Sequence, residues 1–120
     1  MTHSMKLHQG PFALMAAGKK TVELRLNDEK RRRISVGDTI VFTGTGGMTL
    51  SVQVKALHRY PSFRELYADF TPEQLGYLPG EAADSADMNA YYSPEKQNTW
   101  GVLAIEVALL PPCEGTAKEI

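Results

Sequence analysis

Three charged side chains lie close together near the start of the chain, and their types suit the recognition of a polar ligand. They are Lys20, Glu23 and Arg25. The Arg25 guanidinium offers a planar fork to a phosphate or to the carbonyl edge of a base. The Glu23 carboxylate can accept from an exocyclic amine or act as a base on water. Lys20 could serve as a general base or an oxyanion partner if a dry pocket lowered its pKa.

The alternation of residue types around these three predicts the element that positions them. Polar and apolar residues alternate from Lys20 to Leu26, which is the pattern of a β-strand with two distinct faces. One face carries Val22, Leu24 and Leu26, and the other carries Thr21, Glu23 and Arg25. Glu23 and Arg25 therefore either line the lip of a pocket or form a weak, solvated ion pair. Thr21 alternates with Lys20, so we do not expect it to be a nucleophile.

A run of four positive side chains follows this strand, at Lys30, Arg31, Arg32 and Arg33. Taken alone, such a run is typical of a solvated loop. Next to the charged strand, it could attract a nucleic-acid backbone electrostatically. Arg31, Arg32 and Arg33 are therefore candidate ligand-binding residues alongside Lys20 and Arg25.

Aromatic residues are concentrated in the second half of the chain. Tyr91 and Tyr92 are adjacent, and they are our candidates for stacking on a base. Tyr67 falls in helical register with apolar neighbours and is expected in the core. Trp100 precedes the last strand and is expected to pack on the sheet.

Length and composition indicate a single domain. The chain has 120 residues, of which 42% are apolar, enough for one core but not for two. We expect one domain over 1–120, with an ordered core at about 5–110 and a C-terminal tail at 111–120. No apolar run approaches the ~18 residues of a membrane span, and no secretory leader is expected.

The cysteine and histidine content predicts neither a disulfide framework nor a metal site. Cys113 is the single cysteine, so a reducing, cytoplasmic location is expected. His3, His8 and His58 have no ligand spacing among themselves. We expect no metal, no cofactor and no membrane partner.

Charge is distributed unevenly along the chain. Residues 1–60 carry ten Lys or Arg and four Asp or Glu, whereas residues 61–120 carry three and ten. Either one face of the domain attracts phosphates, or the two halves neutralise each other in the fold. The sequence leaves both open.

The remaining patterns predict a small α+β domain. They indicate a short helix from Gln9-Gly10-Pro11 to Gly18, strands at 39–42 and 50–56 that form a hairpin, a helix capped at Ser62, a helix from Glu81 to Tyr92, and an apolar strand at 102–107. This order fits a short barrel-like sheet closed by the last strand, with helices packed across one side.

The run from Gly18 to Arg25 matches the pattern G-x-K-x-x-E-x-R. This resembles the signature of the ASCH domain family (activating signal cointegrator homology), which belongs to the PUA-like superfamily. Val36-Gly37-Asp38 before the next strand, Tyr91-Tyr92-Ser93-Pro94-Glu95 and the closing strand agree with it. The likeness covers about residues 5–108 and implies a small PUA-like β-barrel that binds RNA.

Some small bacterial members of the family are amidohydrolases that remove the acetyl group of N4-acetylcytidine. The resemblance implies a catalytic lysine, a threonine three residues later and a distal glutamate. The lysine corresponds to Lys20, but Glu23 occupies the threonine position. Glu81 is the nearest glutamate by spacing to the closing segment. An enzyme of this type would therefore combine Lys20 with water activated by Glu23 or Glu81.

Three functions are consistent with the sequence. The first is a binding module that holds RNA or a modified nucleoside in a cleft beside the barrel. The second is a small amidohydrolase acting on N4-acetylcytidine-type nucleosides. The third is an adaptor whose acidic half meets a basic protein partner, and its complexes would survive RNase treatment.

Overall fold

The computed structural model of the protein describes residues 1–111. All of the predicted tail except Pro111, and with it Cys113, lies outside these residues. The described elements are strands β1 (Thr2–Lys6), β2 (Val22–Leu26), β3 (Thr39–Thr43), β4 (Thr49–Tyr60) and β5 (Val102–Leu109), and helices α1 (Gln9–Ala16), α2 (Phe63–Asp69), α3 (Pro72–Leu75) and α4 (Pro94–Trp100). Two 3-10 turns, Arg31–Arg33 and Ser85–Ala90, complete them.

The five strands form one curved sheet in the order β1-β3-β4-β5-β2. β1 pairs with β3 in parallel, and the other three pairings are antiparallel. The hairpin predicted from residues 39–56 is confirmed as β3 and β4, and β4 changes register between Val54 and Ala56. β5 lies between β4 and β2, which explains why both of its faces are apolar. The sheet is a half-barrel whose two edge strands are β1 and β2.

Apolar side chains form a separate core on each side of the sheet. The core inside the half-barrel includes Phe42, Leu103 and Ile105. The core on the outer face lies beneath α2, α3 and α4 and includes Leu24, Phe63, Leu66, Leu75 and Met88. The α+β fold, with helices packed against a barrel-like sheet, is thereby confirmed.

The helix predicted from Glu81 to Tyr92 is wrong, because only Ser85–Ala90 forms a turn and it is a 3-10 turn. Asp84 is extended (φ −136°, ψ 120°), and its carboxylate accepts from the Ala86 N–H at 2.9 Å. This cap starts the turn four residues later than predicted. Only Met88 in the turn is buried, so no continuous apolar face holds a longer helix.

Two elements were not predicted. β1 is a short edge strand whose side chains are mostly exposed, so its residues lack a strong alternating pattern. The second is α4, which begins at Pro94 after the Ser93 cap, just beyond the end of the helix predicted to stop at Tyr92. The hydroxyl of Ser93 accepts from the Lys96 N–H at 3.2 Å.

Candidate functional site

A cavity of about 690 Å³ lies along the edge strand β2. The end of β1 and the start of α1 border it on one side, and the segment from Leu75 to Tyr92 covers it on the other. The polar and aromatic side chains that line it are Lys6, His8, Lys20, Glu23, Arg25, Tyr67, Tyr77, Glu81, Asp87, Tyr91 and Tyr92. A cavity of this size suits a small organic ligand.

Lys20 forms the floor of this cavity and is only 4% exposed. Its Nζ donates to the carbonyl oxygens of Val22 at 2.7 Å and Leu75 at 3.0 Å. It also lies 3.4 Å from Oε1 of Glu23. Gly76, in the left-handed conformation (φ +102°), passes so close that a Cβ there would lie 3.0 Å from Cδ of Lys20. The α3 terminus therefore holds the lysine in place.

Glu23 and Arg25 complete a buried cluster of three charges with Lys20. Nε of Arg25 donates to Oε2 of Glu23 at 2.7 Å, and the second guanidinium nitrogen lies 2.6 Å from the same oxygen. That nitrogen also donates to the Lys6 carbonyl oxygen at 2.7 Å. Arg25 thereby joins edge strand β2 to the end of the opposite edge strand, β1. The pair formed by Glu23 and Arg25 is therefore buried. It is not the solvated ion pair that the strand pattern also allowed.

Burial and charge act in opposite directions on this cluster. Burial lowers the pKa of Lys20 below its ordinary value, against the attraction of Glu23. Burial alone would raise the pKa of Glu23, but Lys20 and Arg25 outweigh it and hold that pKa below its ordinary value. Burial likewise opposes the charge of Arg25, and Glu23 more than compensates, so the pKa of Arg25 is raised. Glu23 is therefore an ionised hydrogen-bond acceptor at neutral pH.

Two tyrosines form one wall of the cavity. The hydroxyls of Tyr67 and Tyr77 lie 2.9 Å apart, and Tyr77 donates to Oδ2 of Asp87 at 2.8 Å. Burial raises the pKa of both tyrosines, so both stay neutral. Tyr67 packs against the outer core as expected, yet its ring also faces the cavity. Sequence reasoning assigned Tyr67 to the core and missed this second role, since one ring can serve both.

Tyr91 and Tyr92, the predicted stacking pair, both line the cavity. They differ in how far each side chain is exposed and packed. Tyr92 is half-buried and stacks on Phe63, with ring centroids 6.1 Å apart and an interplanar angle of 18°. Tyr91 is 55% exposed, and its ring lies 5.7 Å from that of His8. Tyr92 therefore belongs to the fixed wall, and Tyr91 stands at the mouth.

Glu81 lies on the covering segment, so the structure does bring it to the same cavity as Lys20 and Glu23. Its Oε1 accepts from the Leu78 N–H at 2.5 Å. Glu81 and Asp87 bring acidic charge from the second half of the chain to face Lys6, Lys20 and Arg25 from the first. Across this cavity, the two halves of the charge distribution meet.

The arginine run does not line the cavity. Arg31 pairs with Asp28 at 2.9 Å, and its Nε is buried without a hydrogen-bond partner. Arg32 donates to the Asn27 carbonyl oxygen at 2.8 Å and lies over the Trp100 ring, 5.5 Å from its centroid. Arg33 is exposed. Only Lys30 and Arg33 of the run are fully available to a phosphate backbone.

Residues 1–111 contain no group of three histidine, cysteine or acidic side chains that could hold a metal ion. None of the helices described is long and apolar enough to cross a membrane.

Comparison with known proteins gives one family and several structures of the same fold. The family model for the ASCH domain matches residues 5–111. The crystal structure of hypothetical protein PH0355 is 37% identical, covers 92% of this chain and 100% of its own, and superposes with a TM-score of 0.81. The solution structure of protein PF0455 from Pyrococcus furiosus is 38% identical, covers 92% and 98%, and has a TM-score of 0.67.

A more distant structure, a point mutant of ZmASCH from Zymomonas mobilis, shares the fold alone. It is 16% identical, covers 88% of this chain and 66% of its own, and has a TM-score of 0.59. A search of curated proteins found no match. The family match and the two structures of more than a third identity agree over nearly the whole described chain. This chain belongs to the ASCH domain family.

Proposed function

We propose that this ASCH domain binds RNA or a modified nucleoside and holds one unpaired base in the cavity along β2. The observation that carries the proposal is the buried cluster of Lys20, Glu23 and Arg25 at the floor of a tyrosine-lined cavity. Burying three charges costs several kcal/mol per ion before pairing, as an order of magnitude. A buried, perturbed cluster of charges beside a cavity is a physically motivated candidate for a functional site.

The chemistry of the lining suits a base. Tyr91 at the mouth and Tyr92 in the wall offer aromatic faces, on which an unstacked base can lie. Glu23 offers an ionised acceptor for an exocyclic amine, and the Arg25 guanidinium offers donors for a carbonyl. The acidic side chains Glu81 and Asp87 also line the cavity, and they disfavour a phosphate inside it. The backbone of an RNA strand would therefore stay outside, nearer to Lys30 and Arg33.

The test is calorimetric titration with cytidine, with N4-acetylcytidine and with a short single-stranded RNA. Arg25→Lys keeps the charge but loses the planar fork, and we expect nucleoside binding to weaken about tenfold or more. Glu106→Gln, on the neighbouring strand but outside the cavity, is the matched control. Failure of the wild-type protein to bind any of the three would refute the proposal.

RNA and free nucleoside are distinguished by salt. Contacts to phosphate release counterions, so RNA affinity should fall steeply as salt rises, whereas nucleoside affinity should change little. The double variant Lys30→Ala and Arg33→Ala should weaken RNA binding and leave cytidine binding unchanged. Equal losses for both ligands would contradict a backbone role for the exposed part of the run.

Amide hydrolysis is the second candidate, favoured by the position of Lys20 beside two carboxylates in one cavity. In such a reaction, water oxygen would bond to the acetyl carbon of N4-acetylcytidine with Glu81 accepting its proton. The C–N bond would break, the amine would take up the proton from Glu81, and cytidine and acetic acid would leave, the acid then losing its own proton to solvent. Glu23 is not placed as the base, because Lys20 and Arg25 hold its pKa below its ordinary value, which makes its carboxylate a weak proton acceptor.

Chromatographic assay of N4-acetylcytidine turnover, with Lys20→Ala as the control, tests this candidate. Turnover that Glu81→Gln abolishes would establish the water route. If the wild-type protein is inactive, Glu23→Thr restores the residue type of the family's enzymes. Turnover gained in that variant would show that the scaffold is competent, and continued inactivity would show that the cavity itself differs.

A further inference from the structure

The free edge of β2 is part of the cavity. Backbone bonds join Val107 N–H to the Thr21 carbonyl oxygen and Asn27 N–H to the Gly101 carbonyl oxygen, at 2.9 and 3.0 Å. In an antiparallel pair, the residues that bond to the partner strand alternate with residues whose N–H and C=O face away. Positions 21, 23, 25 and 27 therefore bond to β5, and Val22, Leu24 and Leu26 face the open edge.

Lys20 confirms this direction independently. Its Nζ approaches from the open side and donates to the Val22 carbonyl oxygen at 2.7 Å. Leu26 does not line the cavity, but Leu24 does. No hydrogen bond among residues 1–111 occupies the outward N–H and C=O of Leu24.

The cavity wraps around this edge from both faces of the sheet. Glu23 and Arg25 lie on the half-barrel side, opposite Ile105 and Leu103. The side chain of Leu24 lies on the other face, in the outer core. Residues from both faces of the sheet therefore line one cavity, and the β2 backbone lies between them.

We infer that the backbone of Leu24 reads the bound base, its N–H donating to a ring nitrogen or carbonyl and its C=O accepting from an amine or imino N–H. This inference deepens the proposed function and rests on it. It defines the ligand class as a planar heterocycle with a donor and an acceptor side by side on one edge. The Leu24 amide and carbonyl would then select for that donor and acceptor pair, and Glu23 and Arg25 would read the groups beside it.

A peptide strand is the other ligand that such an edge could accept, but the exposed stretch is too short for it. Strand addition needs successive free backbone groups. Here the Val22 carbonyl, the neighbouring outward-facing acceptor of this edge, is already occupied by Lys20. Leu24 alone is left inside the cavity, which fits the edge of one base.

The test replaces one backbone N–H by an ester oxygen and keeps every side chain. Leu24 is replaced by its α-hydroxy acid in the full chain, and the same replacement at Leu26 is the matched control. Both residues face the same edge, but only Leu24 lines the cavity. With cytidine as the probe, we expect the Leu24 ester to weaken binding roughly three- to tenfold and the Leu26 ester to leave it unchanged. Thermal unfolding of both esters checks that they fold alike.

Amide chemical shifts in protein labelled with ¹⁵N-leucine give a second measurement that needs no variant. Saturating cytidine should move the Leu24 amide resonance and leave that of Leu26 in place. If cytidine binds and Arg25→Lys weakens it, but neither the Leu24 shift nor its ester responds, the inference is overturned and the proposed function stands. If cytidine does not bind at all, both fall. An extended peptide that shifts Leu24 and Leu26 together would show strand addition instead.

Discussion

Two groups of paired ionisable side chains lie on this sheet, and they differ chiefly in burial. Lys20, Glu23 and Arg25 have side chains that are 4, 6 and 12% exposed. His58 and Glu106, on β4 and β5, pair at 2.5 Å with side chains 39 and 37% exposed. The first group borders the cavity and the second does not. Only the first group is largely desolvated, and desolvation strongly changes the free energy of a charged side chain.

When one member of an exposed pair is removed, water solvates the other. Such pairs therefore contribute at most about 1 kcal/mol to the free energy of unfolding. A buried charge whose partner is removed has no such substitute. Pairing between ionisable side chains therefore contributes almost nothing to the free energy of unfolding on one part of the sheet and contributes strongly on another. This difference also predicts how the two groups respond to the same substitution.

The largest expected effect comes from Glu23→Gln. This change leaves Lys20 and Arg25 buried beside each other without a counter-charge, and we expect a loss of about 3–5 kcal/mol in the free energy of unfolding. Denaturant unfolding measures it. A loss below about 1 kcal/mol, the range of an exposed pair, would erase the distinction between the two groups.

Acidification should affect the buried group through Glu23. Its pKa is lower in the folded protein than in the unfolded chain, so the stability it contributes is present above about pH 4.5. That contribution is lost as the pH falls through the folded-state pKa. Unfolding free energies measured from pH 7 to pH 2 should fall less steeply for Glu23→Gln than for the wild type. Parallel curves would contradict the prediction.

Asp38 adds a separate acid-sensitive contact at the start of β1. Its hydrogen bonds with His3 and the Ser35 N–H lower its pKa to about 2. Its contribution should be lost between about pH 4 and pH 2, so Asp38→Asn should flatten that part of the curve. Combining Asp38→Asn with Glu23→Gln separates the two contributions.

A smaller effect on the free energy of unfolding is expected at Gly76, whose backbone packs against Lys20. Gly76 and Gly80 both have positive φ, +102° and +87°, but a Cβ added at Gly76 would have Lys20 within 4 Å, whereas one added at Gly80 would meet open space. Gly80→Ala should cost about 1–2 kcal/mol from the backbone alone. Gly76→Ala should cost more and should also weaken cytidine binding, because it displaces Lys20. Equal effects on stability and binding would show that Lys20 needs no such support.

The smallest effect is expected at the exposed pair. Glu106→Gln should change the free energy of unfolding by about 1 kcal/mol or less and should leave cytidine binding unchanged. Chemical unfolding and calorimetry measure the two quantities. A loss as large as that of Glu23→Gln would mean that exposure does not separate the groups.

Local patterns predicted much of the fold. Strict alternation located β2 and the faces of its side chains, alternation also indicated the hairpin, and a continuous apolar run indicated β5. The pattern failed where few side chains are buried, as in β1, and where a side-chain cap redirected the backbone, as at Asp84. Neither feature leaves a periodic signature in a single sequence.

The candidate site divides in the same way. The residue types at Lys20, Glu23 and Arg25 were visible, and so was the resemblance of their spacing to a family signature. Their burial was not visible, because it depends on Gly76, Leu75 and the covering segment, which are distant along the chain. Arg31 and Arg32 were predicted to bind a nucleic-acid backbone electrostatically, and that role stays a prediction. Asp28, Asn27 and Trp100 already contact them.

By itself, the sequence determined which side chains share a face of β2, since alternation is a local property of the backbone. It also determined the family, through the spacing of charged residues on that strand. The tertiary structure decided that these charges are desolvated, that Tyr67 faces a cavity and that the Leu24 backbone has no partner strand among residues 1–111. Each depends on which distant segments approach an edge of the sheet, and desolvation by those segments sets the energy of every charge there.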